Sequence, residues 1–233
     1  MKLVWCAFTG ALMLLSVLVT HQQRMAAEDP PGVITRWWDG TMQSVDRTFP
    51  DGKPYLHTEY GEDGNTILVH KEWSRQGALV HQQLRLKDGK LEEKRWDYTG
   101  KTLHEYTLWL GDGSSFTIQQ LYHANGVLAS EVTKTEDGLL TNREVSWDRL
   151  GRLIGEYHIR SNASHERKSY DEGRLVSKRT DFGSGDWEEI TYWPNGNPRF
   201  RVYYTKLTGK LTEESFNQDG TLSLQGPNQL RGD

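Results

Sequence analysis

Seven histidines, His57, His70, His81, His104, His123, His158 and His165, are the residues of this 233-residue chain best suited to holding a metal. They fall about one per segment, and no helical His-Glu-x-x-His or close ligand pair occurs among them. His70 and His81 flank one turn glycine, Gly77. Counting outward across that turn puts them on opposite faces of a hairpin, so all seven are read as solvated side chains and no metal or cofactor is expected. Acid–base chemistry would need two convergent carboxylates. The adjacent pairs Glu92/Glu93, Glu188/Glu189 and Glu213/Glu214 do not supply them, because neighbours on a strand point to opposite faces. The glycine-rich stretches "GDGSSF" and "FGSGDW" lack the lysine and following helix of a phosphate cradle and read as turns. "NAS" at 162–164 is a glycosylation sequon at a hairpin tip, and the terminal "RGD" is read as chance at a frayed end.

Those residues sit on a repeat. Turn glycines stand at 40, 52, 64, 77, 89, 100, 113, 126, 138, 151, 173, 185, 196, 209 and 220, with Asn162 filling the one double gap. The spacing averages about twelve residues, and most of these glycines follow Asp, Asn, Gln, Thr or Ser, which favour turns. The intervening segments, such as "REVSWD", "GEYHIR" and "FRVYYT", are rich in β-branched and aromatic residues and alternate in polarity. No helix is expected after residue 30. The pattern predicts an all-β fold: an elongated antiparallel β-meander of about 16–17 strands in hairpin units of about 24 residues.

Every second turn carries a stronger signature. An aromatic residue lies four places before glycine in Trp73, Trp96, Tyr122, Trp147, Tyr192 and Phe216, with Phe49 and Tyr170 one place closer. Two places after glycine come Pro54, Leu79, Thr102, Leu128, Leu153, Leu175, Pro198 and Leu222. A three-residue loop ending in a left-handed glycine opposes these two positions across the hairpin, so the aromatic packs on the aliphatic residue. Tyr170 tests the rule: a two-residue Glu-Gly loop restores its pairing with Leu175. Phe49 and Pro54 fit either loop length.

Composition agrees with a thin, solvated structure. Hydrophobic residues make up 35% of the chain and mean hydropathy is −0.74, which is lean for a thick core. Twenty-eight basic against 32 acidic residues, a net charge of −4, exclude a nucleic-acid partner that needs a basic stripe. Residues 3–20 are uncharged and apolar, so 1–27 is read as an apolar helix serving as a signal peptide or N-terminal membrane anchor. A linker at 28–36, a repeat domain at 37–225 and a disordered tail at 226–233 follow. The bulk of the chain is expected to be exported, periplasmic or extracellular, touching the membrane only through its N-terminal segment. Cys6, the single cysteine, lies in the apolar run, so the exported part has no disulfide.

With aromatic, turn, glycine and leucine in register, and Glu105, Glu131 and Glu156 five places past glycine, the chain resembles the MORN-repeat variant of YwqK-type antitoxin proteins. The resemblance spans about residues 37–225. It departs from that pattern at Thr102 in place of Leu and at Lys178 and Arg201 in place of Glu. "WDRLGRLI" and "YDEGRLVS" also resemble the YD repeat of Rhs-type proteins. The first resemblance implies a non-enzymatic module that captures a partner protein. Six aromatics outside the predicted seam, Trp37, Trp38, Trp109, Trp187, Trp193 and Tyr203, are the candidate contact residues, since Trp and Tyr are enriched at interaction hot spots. The alternative is a carbohydrate-binding or carbohydrate-active protein using exposed Trp and Glu residues.

Overall fold

The computed structural model describes residues 32–36, 39–136, 138, 140–160 and 164–223. Its strands are β1 (Gly32–Arg36), β2 (Met42–Thr48), β3 (Pro54–Tyr60), β4 (Ile67–Trp73), β5 (Leu79–Arg85), β6 (Leu91–Trp96), β7 (Leu103–Trp109) and β8 (Phe116–Tyr122). The second half comprises β9 (Leu128–Lys134), β10 (Thr141–Trp147), β11 (Leu153–Ile159), β12 (His165–Asp171), β13 (Arg174–Asp181), β14 (Trp187–Tyr192), β15 (Pro198–Thr205) and β16 (Lys210–Ser215). All sixteen form one open antiparallel sheet in chain order, and no helix occurs among the described residues. Strand β1 lies inside the segment expected to be a linker, so the sheet begins at Gly32 rather than near residue 37. The apolar N-terminal segment, Asn162 and residues 224–233 lie outside the described residues.

Each strand touches only its immediate neighbours, so the sheet is a single layer. One apolar side chain among the described residues is fully buried, Val145 at 1% exposure. The other large apolar side chains described are half-buried or exposed, as the lean composition requires.

The turns explain the twelve-residue rhythm. All fifteen turn glycines have φ between 63° and 90°, the left-handed region that a side chain disfavours. At Gly77 the Ser74 N–H donates to the Ala78 carbonyl at 2.8 Å and the Gly77 N–H to the Ser74 carbonyl at 2.8 Å, closing a three-residue loop. The expected pairs follow: Trp73 with Leu79, Tyr122 with Leu128, Trp147 with Leu153, Tyr192 with Pro198 and Phe216 with Leu222. Tyr170 meets Leu175 across a two-residue loop in which Glu172 has φ 50° and Gly173 φ 78°.

Two positions depart from the rule. Trp96 pairs with Leu103 instead of Thr102, because the loop there holds one residue more. Thr48, not Phe49, pairs with Pro54: "PDG" takes the three-residue loop, and the Phe49 ring turns onto Tyr55 at 5.1 Å.

Following the register across the sheet sorts side chains into two faces. Thr58, His70, Gln83, Glu93 and Thr107 occupy one row of the first face. Lys71, Gln82, Lys94, Tyr106, Gln120, Glu131, Val145 and Glu156 occupy a row of the second, which also carries the aromatic seam from Trp73 to Tyr192. Along the turns, a side chain of one unit caps the loop of the next. The Asn125 amide donates to the Arg149 carbonyl at 2.7 Å, the Trp193 indole to the Phe216 carbonyl at 3.0 Å, and the Arg85 guanidinium to the Gly111 carbonyl at 3.0 Å.

Candidate functional site

Strands β4, β5 and β6 bring chemistry-bearing residues together on the first face. "ILVHKEW" puts His70 and Glu72 two residues apart, hence on the same side of β4. "LEEKRW" does the same for Glu93 and Arg95 on β6. Between them, His81 on β5 lies directly opposite both Glu72 and Arg95.

This arrangement corrects the expectation that His70 and His81 face opposite ways. The counting rule holds only for the pair next to the loop, Trp73 with Leu79. Beyond it the register slips by one residue at a bulge that leaves Val80 unopposed, so Glu72 meets His81 and His70 meets Gln83. A slip of one residue exchanges the faces. The two imidazoles are therefore diagonal neighbours, their ring centroids 5.4 Å apart.

A continuous chain of polar contacts results. The Thr58 hydroxyl lies 2.9 Å from His70 Nδ1, and His70 Nε2 lies 2.9 Å from Glu72 Oε1. His81 Nδ1 stands 3.5 Å from the same Glu72 oxygen, and its Nε2 is 2.9 Å from Glu93 Oε1. Arg95 donates to Glu93 Oε1 through Nε at 2.9 Å and a terminal nitrogen at 2.7 Å, while the Trp109 indole donates to Oε2 at 2.7 Å. Thr58 and Glu93 are buried, at 4% and 7% exposure.

The electrostatics favour full ionisation. Burial raises the Glu93 carboxyl, but hydrogen bonds from His81, Arg95 and Trp109 outweigh it and hold the group at about 2. Burial likewise opposes charge on His81, yet its contacts with Glu72 and Glu93 carry its pKa up to about 9. The two histidines hold the Glu72 carboxyl well below the usual carboxylate range. At neutral pH the cluster is an imidazolium between two carboxylates.

A second cluster lies on the other face. Glu166, buried at 6% exposure, accepts from Arg160 at 2.7 Å and pairs with Lys168 at 2.9 Å and Lys178 at 3.0 Å. Burial raises this carboxyl and the two lysines overcome that effect, leaving it at about 2. Next to it the Tyr170 hydroxyl donates to Glu156 at 2.8 Å; burial and that carboxylate push the phenol up to about 12.

Three of the remaining histidines are engaged separately: His57 with Asp46 at 2.6 Å and Glu59 at 2.9 Å, His123 with the Trp147 carbonyl at 2.9 Å, and His165 with the Tyr157 hydroxyl at 2.6 Å. Glu92 and Glu93 point to opposite faces, as do Glu188 and Glu189; Glu92 meets Lys94 on the second face at 3.0 Å. "GDGSSF" and "FGSGDW" are turns, with Gly113 and Gly185 at φ 71° and 90°.

The four candidate contact aromatics among the described residues, Trp109, Trp187, Trp193 and Tyr203, do not form one patch. Trp109 is half-buried on the first face, edge-on to Phe116 at 6.0 Å. Trp187, on the same face seven strands away, stacks on Tyr204 at 5.9 Å beneath the Arg179 guanidinium at 4.6 Å. Trp193 lies at a turn under Arg199 at 4.8 Å, and Tyr203 is on the second face against Phe182. Trp37 and Trp38 lie outside the described residues.

No protein-family model matches the chain, and no curated protein matches it. Among solved structures, matches include TcdB2-TccC3 and TcdB2-TccC3-TEV, at 9% and 10% identity and a TM-score of 0.19, each covering 82% of this chain and 14% of theirs. TcdB2-TccC3 without its hypervariable C-terminal region matches at 9% identity and a TM-score of 0.18, over 83% of this chain and 15% of that one. Overlap this loose assigns no function.

Proposed function

We propose that the chain is a non-enzymatic repeat scaffold of the cell envelope that binds another protein along its sheet. The observation that carries this reading is the single-layer architecture: among the described residues, sixteen strands, each packed only on its sequence neighbours, form one sheet with no second layer on either long face. Among the described residues no strand pairs with the outer edge of β1, where Val33 and Ile34 are 67% and 52% exposed. An unpaired edge of this kind is a template for addition of a partner strand.

The charge state of the face clusters supports the same reading over a glycosidase. Hydrolysis of a glycosidic bond needs one carboxyl whose pKa is raised so that it can donate a proton. Glu72, Glu93 and Glu166 are all held down by cationic neighbours. Affinity capture of the full chain from its native envelope, with mass spectrometry of what is retained, tests the proposal. We expect a protein enriched over a control chain with scrambled surface residues; equal retention by both overturns the reading.

A further inference from the structure

The geometry points to a divalent transition-metal site formed by His70, Glu72 and His81, suited to zinc or a similar cation that accepts imidazole and carboxylate ligands. The inference is independent of the partner-binding reading.

Three observations carry it. First, the ligand atoms converge. His70 Nε2 and His81 Nδ1 lie 2.9 and 3.5 Å from one oxygen of Glu72, and one ligand atom from each residue falls within 4.8 Å of the others. Two ligands about 2.0–2.1 Å from a tetrahedral zinc stand roughly 3.3 Å apart, so both nitrogen–oxygen separations already bracket the required value. Closing the nitrogen–nitrogen distance asks for a ring movement of about 1.5 Å at most.

Second, the ring nitrogens turned away from the convergence point are already engaged. The Thr58 hydroxyl meets His70 Nδ1, and Glu93 accepts from His81 Nε2. Glu93 accepts only, so it requires the proton on His81 Nε2 and leaves the metal-facing Nδ1 with its lone pair, and a carboxylate in that place makes the imidazole a better donor; the Thr58 hydroxyl can accept from His70 Nδ1 in the same sense. Glu93 is itself fixed by Arg95 and Trp109.

Third, the ligands come from paired strands rather than loops, and they remain reachable. The side chains of His70, His81 and Glu72 are 18%, 20% and 36% exposed. Three protein ligands with solvent access leave a fourth position for water or a donor from a partner. Two imidazoles select a zinc-like cation over magnesium or calcium, which prefer all-oxygen sites. His57, although it lies between Asp46 and Glu59, supplies one imidazole alone, with both its nitrogens bonded.

The test is titration of the chelator-treated full chain with zinc by calorimetry and with cobalt(II) by visible absorption. We expect one ion per chain and cobalt bands of a low-coordinate site. Affinity should fall more than about tenfold in His70→Ala and His81→Ala, fall about 10–100-fold in Thr58→Val and Glu93→Gln, and stay unchanged in His57→Ala. No saturable binding by the wild type, or undiminished binding by the His70→Ala/His81→Ala double variant, overturns the assignment. Far-UV circular dichroism in chelator checks that each variant keeps its strands. Where one does not, X-ray absorption of the wild-type zinc complex decides: two imidazoles in the first shell sustain the site, and any other number rejects it.

Discussion

Glu93 shares two oxygens among His81, Arg95 and Trp109, which makes it the side chain on which the first face depends most. Glu93→Gln keeps the shape and removes the charge, and should lower stability by about 1–3 kcal/mol, measured as a urea midpoint. The same cluster dictates a pH profile. His81 rises from 6.5 to about 9 on folding, so its contribution is complete below pH 6.5 and is lost as pH climbs through 9. Glu93 drops from 4.5 to about 2, so its contribution is complete above pH 4.5 and disappears as pH falls toward 2. In chelator the midpoint should therefore be highest between about pH 4.5 and 6.5, and His81→Gln should lessen the alkaline decline; a wild-type midpoint flat from pH 6 to 9 contradicts this. None of this was legible in the histidine spacing, since facing depends on the bulge at Val80 and not on distance along the chain. The skipped residue lies past the aromatic–aliphatic pair, at Val80, and recurs at Ala129 and Ile154, so every pair beyond it must be counted with that residue included.

At the scale of the hairpin, local chemistry was read more fully, because an aromatic, a turn glycine and a leucine encode pairing within a single unit. Tyr170 with Leu175 followed from the missing loop residue alone. Trp96 escaped the rule because "TGKT" hides an extra loop position behind an unchanged glycine. The Glu172-Gly173 turn leaves a bulky residue at φ 50°, so Glu172→Asn should stabilise by about 0.5–1 kcal/mol in thermal unfolding, asparagine tolerating that conformation better. Turns also stack between units, unequally. An added methyl at Gly77 meets nothing within 4 Å, whereas at Gly100 it meets Ala78 Cβ and the Leu79 carbonyl oxygen, both at 3.0 Å. Gly77→Ala should cost about 1–2 kcal/mol for backbone strain, and Gly100→Ala measurably more. Equal losses in the two variants would mean that neighbouring turns do not bear on each other.

Among the described residues each strand packs only on its sheet neighbours, which makes stability a sum of hairpins and their interfaces. Hydrogen exchange should accordingly show protection rising from both ends toward β8–β11, where Val145 is buried, instead of one uniform value. Uniform protection from β2 to β15 would indicate a single all-or-none unit. Low hydrophobic content foretold the thin layer, but which side of each strand would be shielded depends on how the sheet coils, which no short stretch of residues encodes. The strict chain-order arrangement carries a mechanical corollary. The first and last strands lie at opposite margins, so a pull on the two of them loads one row of backbone bonds at a time, and the protein should pay out like a folded tape, at low force and in steps of about one hairpin.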